Sequence, residues 1–486
     1  MRQHSFLLVI LLAALFWPNQ GEAQGVNGRA RSYVSYLQIR ELVLDSVPAE
    51  DVPGEGVQRT LPDGTSVSCG ELHCEYFSSG PRVSVVPVIQ DVELNVWTGI
   101  TGLRAYTHVR ARAPQGDKKF WPRSEESVEA LAAYVEYTRS FYQLQAGRMW
   151  QTTALGFYNY DGGSISLRLP KGLNLDVFGG RSLVRGLNQP YHTDLISSVE
   201  SLEPRMDAYL GGIHARWRPF QALSTALTYQ REKLRRSDDL YSERIAGSAR
   251  VLLGKATLDG ELKYDLAART TNLARLMLSA PMGGGLRGSV ELRKYVPFFE
   301  LWTIWGAFSP VWFQEATGRL DWMNPSGRLS GHVYGSHRAY GLTYAEAPPG
   351  YDIRDDAWRV AMGGRIALQE DFTLGGEYRR DVGYGSSRSG GDLSLQRFFG
   401  RNAYLALQGT AFETFSEFRV GSGRVIGGGI VGQTPIGSAT LQANAMLYKH
   451  TQIDRPSLLD LNQARMQLTL EVPIGKDPGL AGRGNQ

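Results

Sequence analysis

The chain of 486 residues is short of long apolar stretches: after Phe6–Trp17, a run of twelve, polar residues interrupt every hydrophobic segment. A helix needs roughly 20 apolar residues to cross a bilayer, so helical membrane spans are excluded. Cysteine is nearly missing, with only Cys69 and Cys74 in "CGELHC". That rules out a fold scaffolded by many disulfides, and His73 alone beside them is too little for a four-ligand metal site. An excess of one charge is missing too: 52 Lys and Arg stand against 48 Asp and Glu, a net +4. Nothing in that balance implies a nucleic-acid partner. No Pro/Ser-rich linker, charge block or fixed short repeat divides the chain, which argues against a string of domains and against a β-solenoid.

What the chain has is alternation. In "SATLQANAMLYKHTQI", 438–453, every second residue is apolar (Ala439, Leu441, Ala443, Ala445, Leu447), and the residues between are mostly polar. Side chains alternate sides only in extended backbone, so this is a strand with a different solvent on each face. The pattern recurs from end to end. Leu103, Ala105, Val109 and Ala111 oppose Arg104, Tyr106, His108, Arg110 and Arg112. Leu258, Gly260, Leu262 and Tyr264 oppose Asp259, Glu261, Lys263 and Asp265, and Met466, Leu468 and Leu470 oppose Arg465, Gln467 and Thr469.

The first residues bear on what those solvents are. Arg2, the apolar run, Pro18 and the small residues Gly21 and Ala23 have the form of a secretory signal peptide over 1–23. An exported chain is free to oxidise its thiols, so Cys69 and Cys74 are expected as a disulfide closing a small loop within 45–81.

The strands are too long for a soluble core, roughly 10–14 residues where globular strands usually have five or six. Aromatics gather near strand ends, at Trp217 and Phe220, at Phe398 and Phe399, and at Phe412, Phe415 and Phe418. They have the placement of girdles at two lipid–water boundaries. Short connections at 99–102, 139–140, 170–172, 218–221, 254–255, 282–285, 324–328, 369–371, 400–402 and 434–437 alternate with longer ones such as 113–128, 186–203, 341–356 and 451–459. The count from Tyr33 to Val472 gives 22 strands, within a range of 18 to 22. The expected fold is therefore all-β, an antiparallel transmembrane up-and-down β-barrel over 24–472, with a tail over 473–486.

In this pattern the mature chain resembles the Gram-negative outer-membrane β-barrels of the porin-like class. The resemblance names a class and no single family. It implies lipid and the outer-membrane assembly machinery as partners, small polar solutes as cargo, and no cofactor. In one respect the chain departs from the class, since it runs about fourteen residues past Val472 and lacks a terminal aromatic. An alternative within the same fold is a non-conducting barrel with a structural or adhesive role, and a more remote one is an outer-membrane lipid hydrolase.

No residue set calls for catalysis. "SGHVYGSH" places Ser330, His332, Ser336 and His337 close together, but a Ser two residues from a His is a common chance pairing. The triple glycines 283–285 and 427–429 are followed by no Lys-Ser/Thr and no helix, so they are tight turns or bulges rather than phosphate loops. If lipid takes the apolar faces, the polar faces line a lumen. The candidate pore-lining residues are Arg104, Arg110, Arg112, Asp259, Glu261, Lys263, Asp265, Arg287, Glu291, Arg293, Glu377, Arg379 and Arg465, together with Glu136, Asp176, Arg269, Asp381 and Glu471. Charges of both signs across a narrow lumen would select small solutes, or would pair across strands and brace the wall. The alternation breaks in "FFELWTIWGAFSPVWF", 298–313. Trp302, Trp305 and Phe308 there are expected either at the outer rim or in a loop that narrows the lumen.

Overall fold

The computed structural model describes residues 25–475 apart from 63–65, 116–126, 184–207, 236–239, 297–311, 342–355, 384–387, 401, 415–422 and 453–460. The strands are β1 (Val26–Pro48), β2 (Gln58–Thr60), β3 (Ser66–Cys69), β4 (His73–Trp97), β5 (Leu103–Gln115) and β6 (Val128–Thr138). They continue with β7 (Tyr142–Thr153), β8 (Gly156–Leu169), β9 (Leu173–Ser182), β10 (Ala208–Phe220), β11 (Leu223–Leu234) and β12 (Leu240–Leu253). Next come β13 (Ala256–Asp265), β14 (Thr270–Gly283), β15 (Leu286–Tyr295), β16 (Phe313–Met323), β17 (Leu329–Tyr340) and β18 (Asp356–Gln369). The last are β19 (Phe372–Gly383), β20 (Arg388–Phe398), β21 (Tyr404–Thr414), β22 (Gly423–Ile436), β23 (Ala439–Gln452) and β24 (Leu461–Gly475).

Twenty-two of these strands form one antiparallel ring, and β2 and β3 make a small hairpin beside it. Each ring strand pairs with its neighbours in sequence, and β1 closes the circle by pairing with both β4 and β24. This is the expected up-and-down barrel with the best strand count of 22. The last strand runs slightly further than expected: Pro473, Ile474 and Gly475 pair with Arg29, Gly28 and Asn27. Residues 1–24 and 476–486 lie outside the described residues.

The polarity of this barrel is inverted relative to a soluble one. Large apolar side chains stand exposed on the outer face, among them Leu262 (51%), Leu393 (59%) and Leu447 (62%). Polar ones such as Thr228, Gln230, Glu232 and Arg244 are buried on the other face. Hydrogen bonds that skip strands fix which face is inside. Ser182 on β9 donates to Glu232 on β11 at 3.3 Å, and Arg244 on β12 bonds the Tyr158 hydroxyl on β8. Only the concave side of a closed sheet brings such strands together. On the outside, Tyr209 and Trp217 are exposed aromatics eight residues apart on β10, roughly 26 Å along the strand at 3.3 Å per residue and about 20 Å in height at a barrel tilt of about 40°.

Short turns join the strands at one end, the end that holds Val26 and Gly475. The other end holds most of the longer connections, such as those after β5, β9, β15 and β17. One connection at the loop end departs from that rule: β7 and β8 are joined by Ala154 and Leu155 alone. At the same end, β1 and β4 outrun the ring. β1 pairs with β24 only as far as Leu37, whereas the β1–β4 ladder continues to Pro48 and His73. This overhang carries a small head with its own core of Val52, Val67, Cys69 and Cys74. Cys69 and Cys74 are disulfide-bonded there, as expected.

Two local expectations need correction. Gly283–Gly285 do turn the chain, but Gly427–Gly429 sit in an unbroken β22–β23 ladder. A Cβ on Gly427 would lie 2.6 Å from the Tyr448 ring, so the glycines make room for large neighbouring side chains. Phe412 is on the inner face rather than in a girdle, under the guanidinium of Arg388 at 5.4 Å, while Phe415 and Phe418 lie outside the described residues.

Two outcomes follow from these faces. Leu262→Arg should cut the yield of folded, heat-modifiable barrel in lipid, because a charge near mid-membrane costs about 2–4 kcal/mol. Asn444→Arg, on the inner face, should fold as the parent does. Changing Cys69 and Cys74 to Ser should leave the barrel's thermal transition in place and speed proteolysis within 49–73 only.

Candidate functional site

The lumen wall is the surface on which the polar residues converge. Arg104, Arg110 and Arg112 on β5, Asp259, Glu261, Lys263 and Asp265 on β13, and Arg287, Glu291 and Arg293 on β15 all share the inner face. So do Glu377, Arg379 and Asp381 on β19, Arg465 and Glu471 on β24, Glu136 on β6 and Asp176 on β9. Arg269 does not: it lies exposed in the turn after β13 with φ 54, in the left-handed region. Trp302, Trp305 and Phe308 lie outside the described residues.

Most of these charges have a partner on the next strand. Arg110 forks onto Asp91 with two bonds of 2.7 Å, Arg104 meets Glu136 at 2.7 Å and Arg112 meets Glu129 at 2.9 Å. Arg250 meets Asp259 at 2.5 Å, Arg359 meets Asp381 at 2.8 Å, and Arg293 and Arg338 converge on Glu315. Arg31 bonds Glu471 across the closing seam of the ring. These are cross-strand pairs, the sheet's own unit of stabilisation. The sequence reading missed several members, including Asp91, Glu129, Glu315, Arg250 and Arg338. Their alternation is visible in the sequence, but which acid faces which base depends on register.

The lumen is uneven around its circumference. On one side the β7–β8 hairpin leans inward from the loop end. Its Met149, Leu155, Tyr158 and Tyr160 pack with Phe178 on β9, Leu210 on β10 and Ala246 on β12 into a buried cluster. The Tyr158 hydroxyl donates to the Leu155 carbonyl at 2.8 Å and bonds Arg244, four strands further round the wall. Close backbone contact lets the hairpin lean. Gly147 has φ 134, and a Cβ on its partner Gly162 would lie 2.1 Å from the Gly179 carbonyl oxygen.

On the far side the described residues leave more room. A cavity of about 930 Å³ lies against β15–β23, lined by Arg287, Asp321, His332, Glu377, Asp392, Gln408, Phe412 and Tyr448 among others. A second, of about 420 Å³, lies at the closing seam beside Arg31, Tyr33, Asn444 and Glu471. In the serine–histidine cluster, Ser330, His332 and Ser336 face inward and His337 faces outward. His332 pairs with Glu377 at 3.1 Å, whereas His337 lies against the Trp358 ring at 4.2 Å. Among the described residues no group of three His, Cys, Asp or Glu side chains is placed to hold a metal ion.

The architecture is a closed antiparallel up-and-down β-barrel of 22 strands. No family model matches the chain, and no curated protein matches it in sequence. Solved structures resemble it in form. OccK3 (OpdO) of Pseudomonas aeruginosa is 7% identical, with 92% of this chain and 96% of that one covered and a TM-score of 0.40. OccAB4 of Acinetobacter baumannii is 8% identical over 94% of this chain and 100% of that one, with a TM-score of 0.41. The translocation pore of the P pilus usher PapC is 10% identical over 93% and 100%, with a TM-score of 0.44.

The paired wall sets a clear contrast between two arginines. Arg110→Ala strands the buried Asp91 and should lower unfolding free energy by about 3 kcal/mol. Arg287→Ala removes an exposed side chain and should change it by less than about 0.5 kcal/mol. Denaturant titration of the refolded barrel reads both.

Proposed function

We propose that the protein is a channel of the Gram-negative outer membrane through which small hydrophilic solutes or ions diffuse passively. The short-turn end then faces the periplasm and the loop end the outside, as in barrels of this architecture. The observation that carries this reading is the roomier side of the lumen. The larger cavity reaches from Gly285 and Met323 at the turn end to Phe412 and Tyr448 toward the loop end, and polar side chains line it along the way. Because the wall charges are matched in neighbouring pairs, they present local dipoles rather than a ring of one sign. Such a lumen suits small polar solutes of either charge and discriminates weakly between anions and cations. The β7–β8 hairpin acts as the constriction, filling one side so that passage runs along β15–β23.

A second reading, a non-conducting barrel with an adhesive or structural role, draws on the disulfide-closed head. Conductance separates the two. Refolded protein in a planar bilayer should show stable single-channel steps, and their absence would remove the channel reading. Tyr158→Ala combined with Arg244→Ala frees the hairpin and should raise the unit conductance. An unchanged value would mean that the hairpin lies outside the conducting path.

A further inference from the structure

Charged pairs line most of the inner wall, and one stretch of it has none. On β21, β22 and β23 the outer face shows exposed Leu405, Leu407, Ile426, Ile430 and Leu447, so the residues between them face the lumen. Among the described residues, those inner positions carry no Asp, Glu, Lys or Arg over three consecutive strands. The strands on either side do carry charge inward, Arg388 and Asp392 on β20 and Arg465 and Glu471 on β24.

Carboxamides and aromatic rings fill the stretch instead. Gln408 on β21 and Gln442 and Asn444 on β23 are exposed to the lumen. Gln442 donates to the Gln433 carbonyl oxygen at 3.0 Å, whereas the carboxamides of Gln408 and Asn444 have no hydrogen-bond partner among the described residues. Between them β22 turns Gly427 and Gly429 inward. A Cβ on Gly427 would lie 2.6 Å from the Tyr448 ring, and one on Gly429 would overlap the Met446 sulfur. Both side chains therefore lie across β22 rather than standing into the lumen, and they make a low apolar floor beside the free carboxamides. The two cavities meet this wall from opposite ends. The larger reaches Gln408, Phe412 and Tyr448, and the smaller reaches Tyr404, Gln442 and Asn444. From Tyr448 to Gln442 the strip runs six residues, roughly 20 Å at 3.3 Å per residue.

We propose that this strip of β21–β23 binds a neutral carbohydrate, an oligosaccharide of a few units lying along the strands. A sugar hydroxyl both donates and accepts a hydrogen bond. A carboxamide answers both roles, whereas a carboxylate only accepts and a guanidinium only donates. The C–H face of a sugar ring is apolar and settles on the floor made by Tyr448 and Met446. A charged solute finds no counter-charge on these three strands to repay the hydration it gives up. The inference deepens the channel reading and rests on it, since it names the class of solute that the roomier side of the lumen receives.

The test uses the full-length barrel refolded in detergent, with binding followed by isothermal titration calorimetry. The probes are maltotetraose, a tetramer of galacturonic acid, and polyethylene glycol of similar length. Wild-type protein should bind maltotetraose saturably, the acidic tetramer at least tenfold more weakly, and the polyether not measurably. Gln408→Ala with Asn444→Ala should weaken maltotetraose binding roughly tenfold, the effect of losing two neutral hydrogen bonds. Asn174→Ala removes a carboxamide from the inner face of β9, on the other side of the ring, and should leave binding unchanged. Equal binding of the neutral and acidic tetramers by the wild type, or no saturable binding of maltotetraose, would overturn the proposal, and that arm needs no variant to fold. A folded double variant that binds like the parent, or an equal loss in Asn174→Ala, would overturn the assigned position. Stable conductance without sugar binding would remove this inference and leave the channel reading, whereas sugar binding without conductance would do the reverse.

Discussion

A sheet surrounded by lipid cannot leave a strand edge open, because an unpaired N–H or C=O has no water to bond. Everything else in this barrel follows from that demand. The closing pair joins Asn27–Leu37 on β1 to Arg465–Gly475 on β24, so the ring is complete only when the two ends of the chain meet. Closure curves the wall into a concave face and a convex one, and the alternation of the sequence sets polar residues on the first and apolar residues on the second. The Arg31–Glu471 pair spans the same seam, which is therefore tied by side chains as well as by backbone.

Closure also explains where the charges lie. On a concave wall the long side chains of neighbouring strands lean toward each other, and arginine has the reach to meet an acid one strand away. A buried carboxylate such as Asp91 or Glu315 is held by one or two guanidinium groups. The wall is braced by the same groups that wet the lumen. The uneven filling of the lumen comes from a different source. Where glycines let backbones approach, the β7–β8 hairpin leans in and builds an apolar cluster on the wet side of the barrel.

Much of this was legible in the sequence because alternation is a local property. Leu441 and Asn444, or Leu262 and Lys263, reveal their faces without any knowledge of their neighbours. The strand count came from the same signal together with turn chemistry. What escaped depends on pairing. Asp91 as the partner of Arg110 requires the register of β4 and β5. The lean of β7–β8 requires Gly147 opposite Gly162, two residues fifteen apart in the chain whose meeting no local pattern announces. Alternation runs through Met149–Tyr160 as it does elsewhere, so nothing local marks these residues as leaving the wall. Phe412 was misplaced for a related reason: an aromatic near a strand end fits a girdle until parity shows that it faces the lumen.

The overhang of β1 and β4 has a consequence of its own. Strands of 23 and 25 residues extend about ten residues beyond the ring, roughly 33 Å of contour at 3.3 Å per residue. A ribbon of two strands is marginal in water by itself. Here one end is anchored by the ladders to β24 and β5, and the other would fray unless something clamped it. The head supplies that clamp, with Val52 and Val67 packed on a loop shut by Cys69 and Cys74. The two cysteines of the chain therefore stand at the free end of its longest unsupported ladder, where a covalent staple has the most fraying to prevent.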